Sequence, residues 1–212
     1  EYQLIEKVKE VVERGGRVVM PSFAVGRTQE LMLLLKDLKY NMWVDGMGKT
    51  VNRLYLDRPE YLRSAKNLAR AKRRFTEVRT PASRKQARRE ADVIVTTGGM
   101  MDGGPVMSYL EDMKDDPKSA ILLSGYQVEG SNGRMLLDES MINFQVAKEE
   151  IAQKVHVKCE VRKFDLSAHA DHKELLSFVK ACDPQTIVLM HSDDREPLAK
   201  DLREDYKVLL PK

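Results

Sequence analysis

Short apolar runs, each closed by a small-residue loop and answered by a helical pattern, recur along this chain and constrain its fold more than any other feature. Arg17-Val-Val-Met20 stops at Pro21 and passes through Ser22-Phe-Ala-Val-Gly-Arg27. A helix is then predicted over residues 29 to 38, with Thr28 as its cap. Residues 41 to 44 read as a strand before the Asp45-Gly46 turn, and residues 91 to 96 as another before Thr97-Gly-Gly-Met-Met-Asp-Gly-Gly104. Pro105 suits the first turn of a helix over 106 to 113. Ser119-Ala-Ile-Leu-Leu123 opens into Ser124-Gly-Tyr-Gln127. Runs apolar throughout, rather than alternating, belong to strands covered on both faces. Strand, loop and helix in this order predict an α/β fold with a mainly parallel sheet flanked by helices.

The remaining pattern is consistent with that class. Helices are expected over 2 to 14, over 50 to 72 with a break at Pro59, and over 82 to 90, 134 to 137, 173 to 181 and 196 to 204. Extended segments are expected over 141 to 145, 155 to 164, 186 to 190 and 206 to 210. In open α/β sheets ligands bind beyond the carboxyl ends of the strands. The loops 21 to 27, 97 to 104, 124 to 130 and 165 to 171 share that position.

No apolar run reaches the roughly 18 residues of a membrane span, so no membrane partner is expected. The chain opens without methionine, directly into a helical pattern. It therefore reads as part of a longer protein. Cys159 and Cys182 form no Cys-x-x-Cys pattern and are expected to be buried, small apolar residues of a reducing, cytoplasmic protein.

A formal net charge of +3 hides a concentration of charge. Arg63, Lys66, Arg70, Lys72, Arg73, Arg74, Arg79, Arg84, Lys85, Arg88 and Arg89 face only Glu77 within their span, which leaves the rest of the chain acidic. Such a block either attracts a polyanion or forms a solvated helical face.

Several residues are candidates for chemistry. The loop from Thr97 to Gly104 can offer backbone N–H groups to a phosphate, or be only a tight turn; it is neither a P-loop nor a dinucleotide fingerprint. Arg27 can grip a phosphate bidentately, or serve as a surface ion-pair partner. Of the four histidines, His156 reads as an exposed strand residue and His172 as a capping or surface group. His169 and His191 follow strands on the ligand edge, yet two imidazoles alone make an incomplete metal site.

Taken in order, Pro21-Ser-Phe-Ala-Val-Gly-Arg-Thr-Gln-Glu30, residues 97 to 105, Ser124-Gly-Tyr-Gln-Val-Glu-Gly130, Phe164-Asp-Leu-Ser-Ala-His-Ala-Asp171 and Val188-Leu-Met-His191 resemble the β-CASP family of metallo-β-lactamase-fold RNA nucleases. The likeness is strongest to archaeal relatives of the endonuclease subunit of the cleavage and polyadenylation specificity factor, and it spans essentially the whole chain. It implies a β-CASP domain over 1 to 160 and the C-terminal strand-helix part of a metallo-β-lactamase domain over 161 to 212. It also implies an intact protein that hydrolyses RNA phosphodiesters with two zinc ions, in mRNA 3′-end processing or RNA decay. His169 then takes the catalytic position near the scissile phosphate, and His191 is a zinc ligand. Arg27, Gly98, Gly99, Gly103, Gly104, Ser124, Gly125 and Ser167 would hold the sugar-phosphate strand together with the basic block, without reading bases. A homodimer or a paralogous nuclease subunit is the implied protein partner.

The sequence departs from the family in three ways. The metal-binding His-x-His-x-Asp-His motif is absent and would precede Glu1, so this chain alone is expected to be inactive. Ser192-Asp193-Asp194 stands where the family continues Gly-Glu, and His172 stands where an aromatic or basic residue is usual. A non-catalytic RNA-binding or scaffolding paralogue is the alternative.

Overall fold

The structure, a computed structural model, describes residues 1–144, 153–166, 169–192 and 194–211. It contains two compact units, Glu1–Leu166 and Ser167–Lys212.

The first unit is α/β. Its strands are β1 (Val18–Ser22), β2 (Met42–Asp45), β3 (Phe75–Glu77), β4 (Val93–Thr97), β5 (Ala120–Leu123), β6 (Met141–Phe144), β7 (Gln153–His156) and β8 (Glu160–Lys163). A six-stranded sheet runs in the order β3-β2-β4-β1-β5-β8. Every neighbouring pair in it is parallel. β6 and β7 pair antiparallel outside it. The helices are α1 (Tyr2–Glu13), α2 (Arg27–Leu35), α3 (Gly48–Leu56), α4 (Ala65–Arg74), α5 (Pro81–Glu90), α6 (Val106–Met113) and α7 (Asn132–Glu139).

The period-2 pleat sorts each central strand onto two cores. Val18, Met20, Val93, Val95, Ala120 and Leu122 pack with Leu4, Val8, Leu31, Met32 and Ala71 of α1, α2 and α4. Val19, Ile94, Ile121 and Leu123 pack on the other face with Ala87, Tyr109, Leu110 and Leu136 of α5, α6 and α7. β1, β2 and β5 are accordingly buried along their whole length.

Local differences from the sequence pattern have clear causes. The helix expected over 50 to 72 is α3, a 3-10 turn at Pro59–Tyr61, and α4, whose Ser64 caps the Asn67 amide at 3.3 Å. β3 escapes the pattern because it has three residues, of which only Phe75 is fully buried. Thr28 lies inside α2 rather than capping it; its hydroxyl donates to the Phe23 carbonyl at 2.8 Å. The segment expected over 155 to 164 splits, and β8 joins β5 in the main sheet, so the first unit extends to Leu166.

One backbone approach has no tolerance. A Cβ on Gly16 would lie 1.8 Å from the Lys118 carbonyl oxygen, just where the Arg17 carbonyl accepts from the Ala120 amide to start the β1–β5 ladder. Gly16→Ala is expected to lower the unfolding free energy by about 3 kcal/mol, as overpacking against rigid backbone does. A denaturant midpoint unchanged in that variant would contradict the close approach.

The second unit holds α8 (His172–Cys182), β9 (Thr186–Val188), α9 (Glu196–Leu202) and β10 (Lys207–Leu209), with β9 and β10 parallel. Ile187, Ala199 and Leu202 are its fully buried apolar residues among those described. Phe178, Val188 and Met190 remain largely exposed. No helix among the described residues is long and apolar enough to cross a membrane.

Candidate nucleic-acid interface

The order of the strands places a crevice. β1 leads through α2 past β4 to β2, whereas β4 leads through α6 past β1 to β5. Loops leaving the carboxyl ends of adjacent β1 and β4 therefore diverge, which makes this pair the topological switch point where open α/β sheets take ligands. Ser22 of β1 stands level with Thr97 of β4.

Buried polar atoms without a hydrogen-bond partner among the described residues cluster at this end of the sheet. They are Thr96 Oγ1 near the end of β4, Ser124 Oγ just past β5, Gln127 Oε1 in the following loop, and Gln29 Oε1 in α2. An unpartnered buried hydroxyl or amide oxygen is costly, so such a concentration makes this end of the sheet the candidate site for a polar ligand or ordered water. The neighbouring Ser22 hydroxyl is by contrast satisfied, 2.9 Å from Thr28 Oγ1.

Phe23 links three loops. A Cβ on Gly99 would approach its ring at 3.3 Å, and one on Gly125 at 3.1 Å. The ring thus lies in a slot that these two glycines keep clear, and it is still 42% exposed. The expectation for Gly99 and Gly125 was contact with phosphate; their packing gives both a second reason to lack a side chain. Tyr126, 68% exposed, follows directly.

The glycine loop is tied down from below. The Gly99 carbonyl accepts from Gln127 Nε2 at 2.9 Å, the Met100 carbonyl from the Gly133 amide at 2.8 Å, and the Met101 carbonyl from Asn132 Nδ2 at 3.0 Å. Asp102 accepts from the Asn132 amide at 2.7 Å. Gly98 and Gly104 have positive φ, 115° and 86°. The amides of Gly103 and Gly104 make no hydrogen bond among the described residues. The fixed carbonyls hold the loop so that these amides stay available for an anion.

A buried carboxylate, which sequence reading missed beyond its turn, anchors the β2 end. Asp45 has no exposed side chain. Its Oδ2 accepts from Arg84 Nε at 2.6 Å and from the Tyr109 hydroxyl at 2.8 Å, and Oδ1 accepts from the Gly46 amide at 2.6 Å. Burial would raise this carboxyl, but hydrogen bonds from Arg84, Tyr109 and Gly46 outweigh burial and hold it below the usual carboxylate range. Burial and the neighbouring Asp45 charge push the Tyr109 phenol well above its ordinary value. Gly46 has φ 85°, and a Cβ there would strike Thr97 Oγ1 at 1.8 Å.

The expected phosphate-binding cations are largely engaged. Arg27 opens α2 and pairs with Glu30 at 2.7 Å. Within the basic block, Arg70 pairs with Asp37, Lys72 and Arg79 with Glu77, Arg84 with Asp45, and Arg88 with Asp112. Arg74 donates to the Lys36 and Leu38 carbonyls. Much of the block therefore holds the fold together.

In the second unit, Asp171 caps α8: its Oδ1 accepts from the Glu174 amide at 2.8 Å, while Glu174 Oε2 accepts from the Asp171 amide at 2.9 Å. His169 is exposed just ahead of this cap. His172 is bound at 2.7 Å to Asp201 of α9. His191, exposed beyond β9, adopts φ 68°. Ser167 lies outside the described residues. Cys159 is buried, its thiol pushed up to about 12 by burial. Cys182 is exposed at the end of α8, contrary to expectation, because that helix has no fully buried residue.

Among the described residues no group of three or more His, Cys, Asp or Glu is placed to hold an ion. These residues do not by themselves make a zinc site.

A wound parallel sheet with its ligand edge at a β1/β4 switch point, followed by a small αβ unit, defines an α/β ligand-binding class. The chain belongs to the β-CASP family: the Beta-Casp domain model matches residues 28–136. A second model, the Zn-dependent metallo-hydrolase RNA specificity domain, matches residues 154–211. Among its relatives is the probable RNase MJ4 of Methanocaldococcus jannaschii, 34% identical over 92% of this chain and 45% of the relative. Another is the RNase aCSPSF2 of Saccharolobus solfataricus, 33% identical over 95% of this chain and 40% of the relative. The transcription termination factor FttA of Pyrococcus horikoshii is 29% identical over 93% of this chain and 33% of the relative. The chain thus spans less than half the length of these curated relatives.

Proposed function

We propose that this chain supplies the RNA-holding part of an RNA-hydrolysing enzyme active in mRNA 3′-end processing or RNA decay. The observation that carries the reading is Ser124. Its hydroxyl is buried and unpartnered among the described residues, on the ligand edge of the sheet, in a family whose second matched model is named for RNA specificity. Phosphate oxygens are the acceptors such a hydroxyl and the Gly103 and Gly104 amides would satisfy. Arg27, Gly98, Gly99 and Gly125 shape the same edge, and Ser167 belongs to the later loop.

His191 is read as one zinc ligand and His169 as the group nearest the reacting phosphate. Zinc needs ligands beyond those assembled here, so the isolated chain is expected not to cleave RNA. The apolar surface left exposed at Phe178, Val188 and Met190 supports further chain packing on the second unit.

Ser124→Ala separates ligand binding from folding. Removing an unpartnered buried hydroxyl should leave stability unchanged or raise it by about 1 kcal/mol. Affinity for single-stranded RNA should fall about tenfold through one lost bond to a charged acceptor. Fluorescence anisotropy with labelled oligouridylate reads the second effect and urea unfolding the first. Wild-type RNA affinity in the variant would end the proposal.

A further inference from the structure

Arg70, Lys72, Arg79, Arg84 and Arg88 of the basic block are spent on ion pairs, but the edge of the sheet at β3 retains a groove whose cations outnumber its acid. One part, about 490 Å³, is lined by Lys49, Thr50 and Arg53 of α3 with Lys72, Glu77 and Arg79. A second part, about 480 Å³, is lined by Lys72, Arg73, Phe75, Thr76, Glu77 and Arg79, with Leu56 and Ala69. Lys72, Glu77 and Arg79 belong to both, so the parts form one trough. It runs from α3, which follows the carboxyl end of β2, along the outer side of β3.

Its charges are unequal in availability. Glu77 is the one carboxylate lining it and is shared by Lys72 at 3.8 Å and Arg79 at 3.0 Å. Lys49 is committed to Asp45 and to the Val78 carbonyl. Arg53 and Arg73 are exposed and form no ion pair among the described residues. β3 is the terminal strand of the sheet, paired only with β2, so its outer side has polar backbone facing the trough. Two unengaged guanidiniums beside an open strand edge form a site for successive anionic groups on a flexible chain.

We infer that the β3-edge trough is a second phosphate-binding stretch, which carries single-stranded RNA away from the carboxyl-edge loops through Arg53 and Arg73. This deepens, and rests on, the reading of the chain as an RNA binder. The contact is to the sugar-phosphate backbone, so it adds affinity for longer strands without sequence preference.

Length dependence tests it. The chain and its Arg53→Ala/Arg73→Ala variant are titrated with oligouridylates of about 4 and about 16 nucleotides, the span of site sizes found for single-strand grooves. The variant is expected to bind the short RNA like the unaltered chain and the long RNA about tenfold more weakly. Two lost contacts should also make the slope of log K against log salt shallower by about 1.4 for the long RNA. Arg53→Lys/Arg73→Lys, which keeps both charges, should restore most of the slope. An unchanged long-RNA affinity and slope would overturn the trough, and so would equal losses for both lengths. Loss of RNA binding in Ser124→Ala with none in the arginine variant would keep the carboxyl-edge reading and reject this one.

Discussion

Asp45→Ala is expected to lower the unfolding free energy of the chain by about 3 kcal/mol, at the lower end of what breaking a buried ion pair removes. Asp45 is wholly buried, while the Arg84 side chain is 38% exposed. Solvent therefore tempers what Arg84 loses and does little for the Tyr109 hydroxyl, which is left buried without its acceptor. The pair also joins α5 and α6 to the end of β2, so the damage should reach the ligand edge. Asp45→Asn keeps the shape and loses the charge, and should fall between the two. The pH dependence follows from the sign of the shift. The folded Asp45 carboxyl lies below its ordinary value, so its contribution is fully present above the unfolded pKa of about 3.9 and is lost as pH falls through the lower folded value. Urea midpoints at neutral and acid pH read this directly. A loss under about 1 kcal/mol at neutral pH would mean that Asp45 does not hold the edge together.

The second large effect concerns the histidines, in the intact protein that contains this chain. His169→Ala is expected to slow RNA cleavage by about 10²–10⁴-fold, the range for removing a positioned acid–base group, with bound zinc unchanged. His191→Ala is expected to lower zinc content as well as cleavage, because it removes the proposed ligand. The structural motive is their setting: His169 is exposed just ahead of the Asp171 cap of α8, and His191, three residues past β9, is exposed on a left-handed backbone. Elemental analysis beside single-turnover cleavage separates the roles. Equal zinc loss in both variants, or near wild-type cleavage in His169→Ala, would refute the assignment.

Much of the fold was legible because it depends on local pattern. Strands buried on both faces must be apolar throughout, so β1, β4 and β5 show in the sequence, and glycine or serine after each marks the loops. β3 was illegible because three residues, set between Arg74 and Val78, carry too little periodicity. The break at Pro59 in the helix predicted over 50 to 72 is the 3-10 turn at Pro59–Tyr61, whereas the Ser64 cap that restarts the helix as α4 was not foreseen. At the candidate site the loops that follow β1, β4 and β5 could be read, whereas His169 and His191, expected at strand ends, lie six residues past β8 and three past β9.

The sequence by itself determined the class of fold and the family, since each rests on residue types at short, regular spacing. Only the tertiary structure decided how the polar groups are used. Asp45 finds Arg84 across 39 positions and Tyr109 across 64. Glu77, Asp37 and Asp112 neutralise cations that in the sequence looked free, and Phe23 fits between Gly99 and Gly125. The physical reason is that apolar periodicity is a property of one segment, whereas charge pairing and hydrogen-bond satisfaction depend on which strands become neighbours. That adjacency also separated Arg53 and Arg73, still open to a phosphate, from the arginines already bound within the fold.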